Sequence, residues 1–393
     1  MSKQAISLFS GAGGDTLGLK QAGYNVVAFS EMNQAAIQTH RREFPESVHL
    51  VSPSGDANIK QIPDSVFQPY SGHIDIVFAG FPCQGFSHAG KKRHDDVRNE
   101  LVYEFARVAR IVQPTWIIGE NVKGLLSRKG RDPTLPATAP LVPVIEIIGK
   151  LFERTGYKLT YKVLNVSTVT DVPQLRKRLI LVGHRGETYP HLPWDSLLRP
   201  IVPTIRSILE THLHGAIAFT QPPMDERYWI RTTESEPTGT PHPNLLRLAQ
   251  GIRNRSSKEK EAEPNGPAQI VEPNGLISFG VRKSGYHGQI LDPDGPSKTI
   301  ICTYNLCPRL FVGLVNDATQ TRWVRCLSVR ELGQIQGFPA GYAWQGTEKE
   351  QIQQIGNAVP PALIRRVVEM LPAVTFHTSP QVEDSNESGS DEE

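Results

Sequence analysis

The first 185 residues alternate short apolar runs with stretches of helical periodicity. Ala5-Ile6-Ser7-Leu8-Phe9 reads as a strand, and Asn25-Val26-Val27-Ala28-Phe29 as the next. Ile74-Asp75-Ile76-Val77-Phe78-Ala79, Thr115-Trp116-Ile117-Ile118-Gly119-Glu120 and Arg178-Leu179-Ile180-Leu181-Val182 follow. These runs are nearly continuous, as in strands covered on both faces of a parallel sheet. The clearest helix is predicted over 99–112, where Leu101, Phe105, Val108 and Val112 form one stripe. Strand alternating with helix predicts a doubly wound α/β domain.

After Gly183 the pattern weakens. Residues 184 to about 320 are rich in Pro, Gly, Thr, Arg and His, and read as a smaller, irregular domain. Ser256 to Pro267 reads as a polar loop. Helical periodicity returns at Ser328, and a last helix is predicted from Pro361 to Leu371. From about residue 376 the chain is acidic and lacks large apolar groups, which predicts disorder. No internal repeat is visible.

Composition narrows the class. At 393 residues, the chain suits one large domain with smaller additions. No run approaches the roughly 18 apolar residues of a membrane span, and no secretory signal is read. Four scattered cysteines predict neither a disulfide framework nor a zinc site, and fit a reducing compartment. Net charge is +2, but Val382 to Glu393 hold six acids and no base, so the body carries about +8. That charge is compatible with a nucleic-acid partner without requiring one.

Five segments carry candidate chemistry. The turn Phe9-Ser10-Gly11-Ala12-Gly13-Gly14-Asp15 follows the first strand, where glycines allow a ligand close to the backbone. A plain strand-to-helix connection is the alternative, and the spacing is not that of a dinucleotide fingerprint. Glu31 ends the second strand, as a ribose ligand or as a helix N-terminal charge. Gly80-Phe81-Pro82-Cys83-Gln84-Gly85-Phe86-Ser87 leaves the carboxyl end of a buried strand, where open α/β sheets bind ligands. Cys83 there is a candidate nucleophile, or else a small buried hydrophobe. Glu120-Asn121-Val122 ends the neighbouring strand, bringing Glu120 toward Cys83; Asn121 alone could be a helix cap. Gln174, Arg176 and Arg178 alternate along one side of a strand, to grip phosphate or a base edge, or as a solvated basic edge. Gln354 to Pro361 leads into the last helix.

In order and spacing these segments resemble the C5-cytosine DNA methyltransferase family, over nearly the whole chain except the middle region and the tail. Asp95 to Leu101 and Arg325 to Pro339 are similar to family segments too. The resemblance implies S-adenosylmethionine as cofactor, held by Phe9, Gly11, Gly13, Glu31, Asp56, Pro82, Leu101, Asn357 and Val359. Glu31 would take the ribose and Asp56 the adenine amino group. It implies a catalytic set of Cys83, Glu120, Arg176 and Arg178, and no metal. Cys83 would add to C6 of a flipped-out cytosine, Glu120 would bond N3 and the exocyclic amine, and Arg178 the O2. Contacts to double-stranded DNA would come from Gln84, Ser87, Arg98, Asn121, Gln174, Lys298 and Thr299. Residues 84–98 would form a mobile lid.

The implied domains are 1–185 for catalysis and cofactor, 186–350 for target recognition, 351–375 completing the first, and 376–393 as an acidic tail. The expected assembly is a monomer, with a possible partner for that tail. The expected role is the modification half of a restriction system. The expected location is cytoplasmic in a bacterium, nuclear or in a viral factory otherwise. Two rivals share the pattern: a tRNA cytosine-5 methyltransferase, whose Cys-Phe-Thr tripeptide is missing here, and an inactive nucleic-acid-binding relative.

Overall fold

β1 (Gln4–Leu8) runs through the interior of a seven-stranded sheet and buries four of its five residues. The computed structural model describes residues 2–82, 101–132, 135–136, 138–189, 191–219, 225–243, 245–246, 269–270, 276–278 and 287–372. The other strands of this sheet are β2 (Asn25–Ser30), β3 (Val48–His49), β4 (Ile76–Ala79), β5 (Trp116–Val122), β6 (Tyr157–Asn165) and β7 (Lys177–Arg185). Their order is β3-β2-β1-β4-β5-β7-β6. The first five are parallel, and β7 turns antiparallel between β5 and β6.

Alternate residues of each strand serve opposite faces. Ile6, Leu8, Val77 and Ala79 join one core cluster, with Phe105 and Val108 of α3 (Leu101–Val112) and Ile148 and Phe152 of α4 (Val144–Glu153). Ala5, Ile76, Phe78 and Ile118 join the other, with Leu19 of α1 (Gly14–Gln21) and Leu363 and Val367 of the last helix. Helices on both faces of a mostly parallel sheet bear out the doubly wound α/β expectation. The predicted helix over 99–112 is described from Leu101 onward.

A second sheet fills much of the middle region. It contains β8 (Ile217–Ala218), β9 (Trp229–Arg231), β10 (Gln269–Ile270), β11 (Leu276–Ser278), β12 (His287–Ile290), β13 (Leu310–Asn316) and β14 (Thr321–Cys326). Its far end is more regular than the short apolar runs suggest: all seven residues of β13 are buried, and β14 pairs along its length. Under this sheet Arg325 and Glu331 form an ion pair at 2.8 Å with exposures of 1% and 0%. Glu331 also closes a capping box with Ser328 at the start of α5 (Val329–Ile335).

The chain then returns to the first sheet. Tyr342 Oη donates to Ala12 O at 2.5 Å, Ala343 N to Glu43 Oε1 and Gln345 N to Thr39 Oγ1. These contacts start before residue 351, where the sequence puts the boundary. α6 (Glu348–Asn357) packs against α2 (Gln34–Glu43), and α7 (Pro361–Glu369) against α1. Small residues make the last contact possible: a Cβ on Gly14 would lie 2.1 Å from Val359 O, and one on Gly18 2.4 Å from Pro361 O. Among the described residues no helix is long and apolar enough to cross a membrane.

Candidate active site

The loops at the carboxyl ends of β1, β2, β4 and β5, together with β7 and the segment joining α6 to α7, enclose one cavity of about 350 Å³. Phe9, Gly11, Glu31, Pro82, Leu101, Asn357 and Val359 all line it, as do Glu120, Asn121, Arg176 and Arg178. Residues separated by more than 300 positions thus share one wall.

The turn after β1 is locally strained. Phe9 has φ of 56°, a conformation costing a non-glycine residue on the order of 1–3 kcal/mol. This turn directs Phe9 and the open backbone of Gly11 at the cavity, since nothing lies within 4 Å of where a Gly11 Cβ would be. Glu31 faces them with its carboxylate fixed. One oxygen accepts from Gly11 N at 2.9 Å, and the other from Met32 N at 2.9 Å and Asn33 N at 2.8 Å. A carboxylate offers about four lone-pair directions, so three bonds leave room for one more donor.

Two expected cofactor residues are placed differently. Gly13 is not in the cavity wall. Its φ of 87° starts α1, and a Cβ there would meet the Phe44 ring at 2.5 Å, so it serves turn and packing. Asp56 stands beside the wall, its carboxylate accepting from Asn58 N at 2.8 Å, while Ala57, Asn58 and Ile59 do the lining.

Glu120 and Arg178 form an ion pair in the cavity wall. Their side chains are 12% and 13% exposed, and Arg178 Nε lies 2.7 Å from Glu120 Oε1. The antiparallel pairing of β5 and β7 sets this contact, with Ile180 opposite Glu120 and Arg178 opposite Val122. Asn121 is 2% exposed. It donates to Phe81 O at 3.1 Å, tying the end of β5 to the loop that leaves β4 through Pro82. In this arrangement its side chain is engaged within the protein.

Gln174 and Arg176 do share a side of the strand, but that side faces inward. Gln174 is 0% and Arg176 1% exposed. The Gln174 amide bonds Ile335 O, the Gln336 side chain and Ile300 N, all within the protein. Arg176 donates to Ile300 O at 3.0 Å, Gly356 O at 3.0 Å and Ala358 O at 3.2 Å. Burial lowers its pKa well below the usual value, with the Arg178 charge adding to that shift. Lys298 is exposed, and Thr299 Oγ1 donates to Leu175 O at 2.7 Å. Cys83, Gln84, Ser87 and Arg98, with the expected lid and tail, lie outside the described residues.

Behind the turn sit two buried titratable groups that sequence reading missed. Asp15 accepts from Ser7 Oγ and from Ser10 Oγ, and burial pushes its carboxyl up to about 7. His40 meets Thr16 Oγ1 at 3.0 Å and stacks on Phe29 at 3.6 Å. Burial first, and then the nearby His49, push its imidazole down to about 3.

The sequence profile described as C-5 cytosine-specific DNA methylase matches residues 3–373. The chain belongs to this family. Membership bears out the family and the enzyme class expected from the sequence motifs. Among similar proteins, the Type II methyltransferase M1.HphI of Haemophilus parahaemolyticus is 29% identical, covering 94% of this chain and 86% of that protein. The Type II methyltransferase M.PspPI of a Psychrobacter species is 30% identical, covering 95% and 80%. The crystal structure of a Spodoptera frugiperda DNMT2 mutant matches with a TM-score of 0.59 at 18% identity, over 94% of this chain and 99% of that one. At that identity the likeness concerns the fold alone.

Proposed function

We propose that this methylase family member transfers a methyl group from S-adenosylmethionine to carbon 5 of cytosine in double-stranded DNA, through a covalent bond between Cys83 and C6. The observation that carries the reading is the single cavity lined both by Glu31 and Gly11 and by the Glu120–Arg178 pair. Both reactants need to meet in such a space.

The walls suit the cofactor. Glu31, oriented by three backbone N–H groups, accepts from a ribose hydroxyl. Phe9, Ile59 and Leu101 supply apolar wall, Gly11 permits close approach, and Asp56 beside Ala57 meets the adenine amino group. Pro82, Asn357 and Val359 close the remaining side. When bound, S-adenosylmethionine supplies an electrophilic methyl group.

The protein's part is to make cytosine C5 nucleophilic. The base leaves the stack first, at a cost of a few kcal/mol. The Cys83 thiolate bonds C6. Glu120 shares a proton with N3 and accepts from the exocyclic amine, while Arg178, which fixes that carboxylate, also donates to O2. Charge developing on the ring thus meets preformed partners. After methylation a solvent-derived base takes the C5 proton, and the C6–S bond breaks to return the Cys83 thiolate.

Cys83→Ser is the direct test. Tritiated methyl transfer to unmethylated DNA should vanish while S-adenosylhomocysteine binding persists. Full activity in that variant would falsify the covalent route. Bisulfite sequencing of DNA from cells expressing the wild-type chain should reveal new methylcytosine at one sequence, as the modification half of a restriction system requires.

A further inference from the structure

Three buried side chains join parts of the chain that the proposed reaction needs in register. The strand pair Ser297–Lys298 with Gln174–Leu175 brings the segment 297–302 onto the start of β7. Gln174 Oε1 accepts from Ile300 N at 3.2 Å, and its amide nitrogen donates to Gln336 Oε1 at 2.7 Å. Gln336, 0% exposed, passes the chain of bonds on: its own amide nitrogen donates to Ala358 O at 2.6 Å. Arg176 spans the same gap in parallel, from Ile300 O to Gly356 O and Ala358 O.

A steric observation points the same way independently. A Cβ on Gly356 would lie 2.3 Å from Cys302 N, 2.4 Å from Cys302 Cα and 2.6 Å from Ile301 C. Backbone rests on backbone, with no flexible side chain to absorb a shift. Gly356, Asn357, Ala358 and Val359 in turn line the cavity. Segment 297–302 cannot move without moving that wall.

We propose that Gln336 and Gly356 are positioning residues that couple the DNA-facing segment 297–302 to the cofactor wall 356–359, so that each ligand tightens the other. The proposal rests on the reading that this cavity takes S-adenosylmethionine and that Lys298 and Thr299 face DNA. Gln336 suits the role because its amide is at once the acceptor for Gln174 and the donor for Ala358. Coupling between two sites is reciprocal, so it can be read from either ligand.

The experiment titrates S-adenosylhomocysteine into the full chain, with and without unmethylated plasmid DNA. The same plasmid must first accept tritiated methyl groups from the wild type, which tests the function separately. DNA should tighten S-adenosylhomocysteine binding by about fivefold or more in the wild type. In Gln336→Leu and Gln336→Met that gain should disappear while each ligand alone still binds. An absent gain in the wild type overturns the proposal. So does an unchanged gain in the variants, or a collapse of the separate affinities. Should neither variant fold, hydrogen exchange in the wild type decides: S-adenosylhomocysteine alone should slow the amides of 297–302, and unaltered exchange there overturns the coupling.

Discussion

Arg178 Nε reaches the carboxylate of Glu120 across two antiparallel strands, at 2.7 Å, inside the cavity that also holds Glu31. The pair is largely shielded, so it is an electrostatic fixture rather than a surface contact. Arg178→Ala should lower kcat for methyl transfer by roughly two to three orders of magnitude, the usual effect of removing one preorganised donor. S-adenosylhomocysteine affinity should hold, because Glu31 is held by Gly11 N, Met32 N and Asn33 N and not by Arg178. Wild-type turnover in this variant would remove Arg178 from the proposed mechanism.

Arg176 supports three backbone carbonyls, of Ile300, Gly356 and Ala358. Arg176→Met takes this donor from Ile300 O and Gly356 O, while Ala358 O keeps the Gln336 amide, and should cost at least about 2 kcal/mol of stability. Arg176→Lys should recover part of this, since a single ammonium cannot span all three as the planar guanidinium does. Urea midpoints at fixed m-value measure both; an unshifted Arg176→Met midpoint contradicts the bracing role.

Gly18→Val would drive a side chain into Pro361 O and Ile364, both within 2.8 Å of an added Cβ. Overpacking of this kind costs typically about 1–3 kcal/mol. Here the segment leading into the displaced helix carries Val359, so S-adenosylhomocysteine should bind more weakly as well. Calorimetric titration beside a thermal melt checks this, and a variant that melts early yet binds normally would separate the helix contact from the cavity wall.

Asp15 and His40 make opposite contributions to stability as pH changes. Asp15 keeps its proton in the folded chain up to about 7, whereas the unfolded carboxyl loses it near 3.8. The folded state binds more protons in that window, so this group lowers stability as pH rises. The His40 pKa falls from 6.5 to about 3 on folding, so the unfolded state binds more protons and stability rises with pH between those values. Between about pH 4 and 6.5 the two slopes cancel. Asp15→Asn should expose the histidine slope, about 1.4 kcal/mol per pH unit relative to the wild type. Unfolding free energies at several pH values give the difference; parallel curves for the two proteins would refute the assignment.

Much of the first sheet was legible because its strands are buried on both faces, which leaves continuous apolar runs in the sequence. The same feature hid direction: Leu179 to Val182 reads identically whether β7 runs with β5 or against it. β6 escaped notice for a different reason. As an edge strand it carries Lys158 and Lys162 and buries only Tyr157 and Leu164, so it lacks a strong apolar pattern. At the site, strand-end position pointed to Glu120 and Glu31. Alternation put Gln174 and Arg176 on a common side but could not say what covers it. The covering groups, Ile300, Gln336 and Gly356, lie 124 to 180 positions away. Gln336 and Asp15 carry no local signal, since burial alone makes them consequential.

The contact between α1 and α7 also orders events during synthesis. About 340 residues separate Gly18 from the helix that covers it, and a ribosome adding roughly 5–20 residues per second needs about 17–70 s to make them. For that interval Leu19, Ile76 and Phe78 lack their final cover, and the cavity lacks Asn357 and Val359. On the proposed function, a chain ended before Asn357 lacks part of the wall around the methyl donor, and methylation waits until that segment has been made.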